Sequence, residues 1–289
     1  MLSAPNQPIG SFTEGQLRAF LTLLGDEDPA VWRPMRERLC GAGTPVLAWL
    51  KPHRLHPDPA IRRRVQDIFR ERDASSADNE FMAFLLTHGE EFDIEEAAWL
   101  LARTRYPEIN LNGYRALLDE YADAVRVDVE GATAGESQLR LINSYLFQHL
   151  GFKGNESSYY EPENSYLNKV IDRRLGIPIS LCVLFLGVAR RLKLPVTGVG
   201  MPGHFLCRYQ SPRETIFVDP FHSGKLLSTA DCMKRLQKLD VAMEETHLAP
   251  ISSRKILTRM IQNVHLIHRE RKERTEADRL RRYLVVLGR

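Results

Sequence analysis

Between Asn164 and Phe221 the chain reads N-S-Y-L-N (Asn164–Asn168), R-L-G-I-P-I-S-L-C-V-L-F-L (Arg174–Leu186), P-G-H-F-L-C-R (Pro202–Arg208) and F-V-D-P-F (Phe217–Phe221). A thiol, an imidazole and a carboxylate follow one another here as Cys182, His204 and Asp219. Pro178 suits the first turn of a helix, where no N–H is needed. The apolar residues of 179–192 cover most of that helix, which is therefore expected to be buried. Strands are expected over Val196–Val199, His204–Tyr209 and Thr215–Val218, with a Pro-containing turn at Gln210–Arg213. The thiol then lies near a helix start. His204 opens one strand and Asp219 ends the next, so the two can be cross-strand neighbours.

These residue types in this order have a chemical logic. The thiolate is the nucleophile, and a helix N-terminus lowers the thiol pKa. An imidazole takes the proton and returns it to the leaving group, and a carboxylate orients the imidazole. Each residue also has a plainer reading. Cys182 can be a small apolar residue inside a helix. Asp219 can cap a turn before Pro220. Ser180 lies nearer the helix start, yet about 200° round from Pro178. The glycine before His204 suggests tight backbone approach. Asn164 and Asn168 share a helix face and are candidates for contacts to a substrate carbonyl, with capping the competing role for Asn164. Cys207 is in phase with Phe205 and reads as core. His222, His53 and His56 show no carboxylate or Cys partner at metal spacing, so no metal or other cofactor is expected. His265 and His268 read as solvent-facing.

N-S-Y-L-N, R-x-G-I-P-I-S-L, A-R-R-L-x-L-P, P-G-H-F and D-P-F together resemble the SirB-type branch of the transglutaminase-like superfamily. The resemblance implies an α+β core, a helix packed on a small antiparallel sheet, with the site at the helix start. That superfamily includes acyl-transferring enzymes, peptidases and non-catalytic members, and its SirB branch is associated with bacterial regulation. One departure follows from a gap-free alignment on Gly176 and on Arg190–Pro195. Pro178, not Cys182, takes the nucleophile position, and Cys182 sits one turn deeper, about 6 Å along the axis.

Upstream, the chain reads as helical. Asp28-Pro29-Ala30-Val31 and Asp58-Pro59-Ala60-Ile61 repeat one phrase, an Asp cap followed by Pro at the first helical position. They are expected to open helical runs at Val31–Leu39 and Ile61–Phe69, with a second segment at Pro45–Leu50 after the first copy. The alternatives are a HEAT-like pair or two unrelated capped helices. A polar break is expected at Ser75–Asp78. Helices follow at Phe81–Thr87, Ile94–Arg103, Leu111–Val125 and Ser137–Leu150, with a hinge at Gly131–Gly135 and a loop over Gly151–Glu163. Helices around Ser253–Arg269 and Glu276–Leu287 close the chain as a TPR-like hairpin. The expected whole is mostly helical α+β: a HEAT-like helical platform over residues 1–130, a transglutaminase-like core over 131–250 and C-terminal helices over 251–289.

Net charge is +3, too small to argue nucleic-acid binding by the whole surface. From Arg254 onward, however, eleven Lys and Arg face four Asp and Glu. Four scattered cysteines and no secretory h-region after Met1 suggest a cytoplasmic chain with free thiols. The longest apolar run, Ile177–Ala189, is too short to span a bilayer. Three functions compete: a thiol acyltransferase or amidase acting through Cys182; a non-catalytic scaffold holding a protein or peptide partner in the same cleft; and, less favoured for want of interleaved aromatics, nucleic-acid or acidic-protein binding by the basic tail.

Overall fold

A computed structural model describes residues 8–237 and 245–288. Residues 1–7, on which the expectation about a secretory h-region falls, lie outside that set. By packing, the chain divides into two compact units, Met1–Asp78 with Tyr106–Glu108, and Asn79–Arg105 with Ile109–Arg289.

In the first unit, β1 (Pro8–Ile9) pairs antiparallel with β2 (Phe12–Thr13). Then come α1 (Glu14–Leu23), α2 (Pro29–Cys40), α3 (Thr44–Leu50) and the start of α4 (Pro59–Thr87). Both repeated Asp-Pro phrases are caps. Asp28 accepts from the Ala30 N–H at 2.8 Å, and Asp58 accepts from Ala60 at 2.7 Å. The first cap opens a helix pair, α2 and α3, whereas the second opens one helix of 29 residues. The core holds Leu17, Leu24, Leu39, Val46, Leu50, Val65 and Ile68. Helix α4 runs through Ser75–Asp78, so the expected break is absent. Ala77 and Phe81, one turn apart, are both buried, and burial of that face overrides the weak helix preference of two serines.

The second unit continues with α5 (Ile94–Arg105), α6 (Leu111–Gly131), and α7 (Gly135–Asn143), which passes into a π-helical turn at Ser144–His149. Next are β3 (Lys153–Gly154), α8 (Leu167–Arg173), β4 (Leu175–Gly176), paired parallel to β3, and α9 (Pro178–Arg191). An antiparallel meander follows: β5 (Val196–Val199), β6 (Leu206–Gln210), β7 (Thr215–Asp219) and β8 (Lys225–Leu227). The last elements are α10 (Thr229–Gln237), α11 (Ser253–Glu270) and α12 (Arg274–Leu287).

As its composition requires, α9 is buried from Pro178 to Ala189. It packs against α5, α6, α8, α11 and the sheet. Alternation along β6 and β7 makes the sheet two-faced. Cys207, opposite Val218, turns to α9, where its thiol contacts the Cys182 carbonyl at 3.7 Å. Leu206 and Phe217 turn the other way and pack with Cys232 and Leu236 of α10. The C-terminal end of α9 is tied to α5 by ions. Buried Glu95 accepts from Trp99 Nε1 at 3.1 Å and from Arg190 at 2.8 Å, and pairs with Arg191. At Gly187 an added Cβ would come within 3.1 Å of the Glu95 carboxylate, so the glycine permits this approach. The A-R-R-L-x-L-P wording therefore encodes packing of α9 on α5.

Candidate functional site

Asp219 ends β7, fully buried, and gathers donors from three elements. Its carboxylate takes His204 Nε2 at 2.9 and 3.0 Å, His222 Nδ1 at 2.9 Å and Arg235 Nη1 at 2.8 Å. Burial opposes ionisation of Asp219. The hydrogen bonds and charges of His204, Arg235 and His222 outweigh it and hold the carboxyl well below the usual carboxylate range. The expected His204–Asp219 neighbourhood is thus present, with two partners added. His222 has the carboxylate partner that its sequence spacing did not reveal, because Pro220 starts a 3₁₀ turn that brings residue 222 back over Asp219.

His204 does not open β6, which begins at Leu206. It closes a tight turn in which its N–H bonds the Met201 carbonyl at 3.2 Å. Gly203 has φ +68°, so Pro202-Gly203 fits a type II turn. Nothing lies within 4 Å of an added Cβ there, so this glycine serves backbone conformation rather than close approach. Arg259 of α11 clamps the turn, donating to the carbonyls of Met201 at 3.2 Å and His204 at 3.1 Å. With Nε2 committed to Asp219, Nδ1 is the ring nitrogen left for any reacting or bound group.

Cys182 is not joined to this pair. It is fully buried, and its thiol contacts the Phe205 carbonyl at 3.5 Å. Burial, then the neighbouring Cys207, pushes the thiol well above its ordinary value. Among the described residues, no thiol or hydroxyl hydrogen-bonds a His204 ring nitrogen. Ser180 is buried too, and its hydroxyl is structural: it donates to the Asn164 carbonyl at 2.6 Å and accepts from the Ile177 N–H at 3.1 Å. That bond ties the start of α9 to the preceding loop.

Asn164 and Asn168 do not share a helix face. Asn164 ends a 3₁₀ turn, and α8 begins at Leu167. The Asn164 side-chain amide binds the carbonyls of Ser158 and Tyr159 at 2.7 and 3.1 Å and accepts from Asn155 at 3.0 Å, closing the loop that the sequence left irregular. Asn168 is buried with its Oδ1 unpartnered.

Beside His222 lies a cavity of about 600 Å³, walled by Phe221, Ser223, Leu175 and residues 153–157. The ligand atoms of His204, Asp219 and His222 lie within 4.8 Å of one another, a grouping able to hold a metal ion. Arg235 already shares the Asp219 carboxylate at 2.8 Å, so a cation there would meet a positive neighbour. The arrangement holds the His222 imidazole beside an accessible hollow but, among the described residues, supplies no thiol or hydroxyl bonded to the His204 ring. No helix among the described residues is long and apolar enough to cross a membrane.

Residues 112–262 match the family described as Transglutaminase-like superfamily. A UPF0162 protein of Xylella fastidiosa is 38% identical over 186 residues, 62% of this chain and 66% of the relative. A UPF0162 protein of Pseudomonas aeruginosa is 30% identical over 177 residues, 60% of this chain and 64% of the relative. F-box only protein 21 of Mus musculus is 36% identical over 135 residues, 44% of this chain and 21% of that protein. The chain thus spans just under two thirds of the length of the bacterial relatives. No solved structure gives a significant match.

Proposed function

The chain belongs to the transglutaminase-like superfamily, and on that premise we propose that it is a SirB-type member that binds a protein or peptide segment without transferring an acyl group. The observation that carries this reading is the state of Cys182: buried in α9, its thiol on a backbone carbonyl and its pKa pushed up by burial. A thiol acyltransferase needs its sulfur within hydrogen-bond reach of the base, at an open cleft. The partner would engage the hollow beside Phe221 and His222. Recurrence of the segment within 21% of a larger protein, F-box only protein 21, supports a transferable binding module. In this reading residues 1–130 serve as a HEAT-like platform, 131–250 as the core and 251–289 as a TPR-like hairpin.

The oriented His204–Asp219 pair favours a second reading, a thiol amidase or acyltransferase that brings Cys182 to His204 Nδ1 by rearrangement. Alkylation by iodoacetamide across pH, read by peptide mass spectrometry, decides between them. Binding without acyl transfer requires Cys182 to label more slowly than half-buried Cys40, whose thiol burial pushes up to about 11, and His204→Ala to change nothing. Rapid labelling of Cys182 below neutral pH that collapses in His204→Ala would establish an activated thiolate and overturn the proposal.

A further inference from the structure

Asp219 holds two imidazoles, where orienting a single base needs only one. The backbone is built to bring the second. Asp219 caps the 3₁₀ turn, its Oδ1 accepting from the His222 N–H at 3.4 Å. The Gly224 N–H then returns to the Asp219 carbonyl at 2.9 Å, and Ser223 and Gly224, at φ +54° and +71°, fold the chain back. His204 comes from a different turn, fixed independently by Arg259. Two backbone segments thus set a nitrogen of each imidazole and a carboxylate oxygen within 4.8 Å of one another. His268, which the sequence suggested to be solvent-facing, makes a contrast: it is 1% exposed and bonds Glu273, and one imidazole with one carboxylate is no comparable set.

Two imidazoles and a carboxylate are the donors of a three-ligand zinc site that keeps one position open. Zinc bonds of about 2.0–2.1 Å in a tetrahedral arrangement separate neighbouring donors by about 3.3 Å. Both His–Asp contacts are already at 2.9 Å, so each needs to open by only a few tenths of an ångström. The two nitrogens have to close from at most 4.8 Å. That movement falls to His222, 41% exposed at the rim of the hollow, because His204 is 13% exposed and its turn is clamped. Arg235 opposes a cation by its charge, yet its side chain is 36% exposed to screening solvent. A hydrogen bond from an outer group onto a ligating carboxylate is also usual in such sites. Imidazole donors favour zinc and the later first-row ions over magnesium or calcium.

We infer that His204, His222 and Asp219 bind a divalent transition-metal ion of the zinc type, each imidazole turning a nitrogen lone pair, in place of an N–H, toward the carboxylate. Metal binding does not depend on the partner reading. Titration calorimetry of the EDTA-stripped, dialysed full chain with Zn²⁺ tests it, and Co²⁺ serves as a spectroscopic probe. Wild-type protein should bind one equivalent and give the visible d–d bands of four- or five-coordinate cobalt. His222→Ala, at a half-exposed position, should bind at least about tenfold more weakly. His149→Ala, which removes an exposed imidazole of the π-helical turn, should leave binding unchanged. Arg235→Ala, which removes the positive neighbour, should bind zinc no less tightly. Circular dichroism of each variant verifies folding. Absence of zinc binding, equal affinity of wild type and His222→Ala, or a thiolate-to-cobalt charge-transfer band, which would put a cysteine on the metal, would overturn the inference. Magnesium bound as tightly as zinc would also overturn it, since that ion takes oxygen ligands.

Discussion

Glu95 and Asp219 are two buried carboxylates in one unit, and they meet the same difficulty in different ways. Each needs positive partners, since an unpaired buried charge is prohibitive. Glu95 sits between Arg190 and Arg191, whose charge is fixed, with the Trp99 indole as a further donor. Its partners lie on long helices. Asp219 instead gathers two imidazoles and an arginine at the end of a strand, and His222 is 41% exposed at the rim of a hollow. The first arrangement can do little except hold α9 to α5. The second keeps titratable, partly accessible groups in a fixed orientation, as a recognition or chemical site requires. Similar burial thus separates a structural knot from a functional one only when the partners are compared.

The largest effect should come from breaking the knot. Glu95→Ala removes the buried partner of Arg191, leaving it only the exposed Asp119, and is expected to lower stability by about 3–5 kcal/mol in urea unfolding. Asp219→Asn keeps the shape and some hydrogen bonds, and should lose about 1–3 kcal/mol. A larger loss for Asp219→Asn than for Glu95→Ala would erase the distinction.

That second substitution also carries a pH signature. The folded carboxyl lies below its unfolded value, so its stabilisation is complete above the unfolded pKa and is lost as pH falls through the folded one. The stability gap between wild type and Asp219→Asn should be constant above about pH 5 and shrink below about pH 4. Urea midpoints over that range check the sign, and a gap that widens on acidification would contradict it. Smallest is Arg235→Ala: with its side chain 36% exposed, it should cost at most about 1 kcal/mol.

The strongly patterned elements were legible in the sequence. Helix α9 and strands β5 and β7 fall within a residue or two of expectation, because a fully apolar helix and short β-branched runs admit few alternatives. Strand β8 and helix α10 were missed. The first has only three residues, and the second offers Cys232, Met233 and Leu236 amid polar neighbours, so only packing on the sheet reveals its buried face. The His204–Asp219 pairing could be foreseen from strand order. The additions of His222 and Arg235 depend on a 3₁₀ turn and on α10, neither of which leaves a periodic trace. The separation of Cys182 was foreshadowed by Pro178 at the aligned position, but its depth is a matter of what covers α9.

Arg259 gives the site an order of assembly. It reaches the His204 carbonyl across 55 residues of chain, later in sequence than every strand of the sheet. During synthesis β6 and β7 emerge well before α11, so the imidazole turn has Asp219 but lacks its Arg259 clamp until α11 docks. Such distant closure slows folding and makes completion of the site a late event. Proteolytic trimming after Pro250 would therefore leave a sheet able to pair but a His204 turn without its clamp.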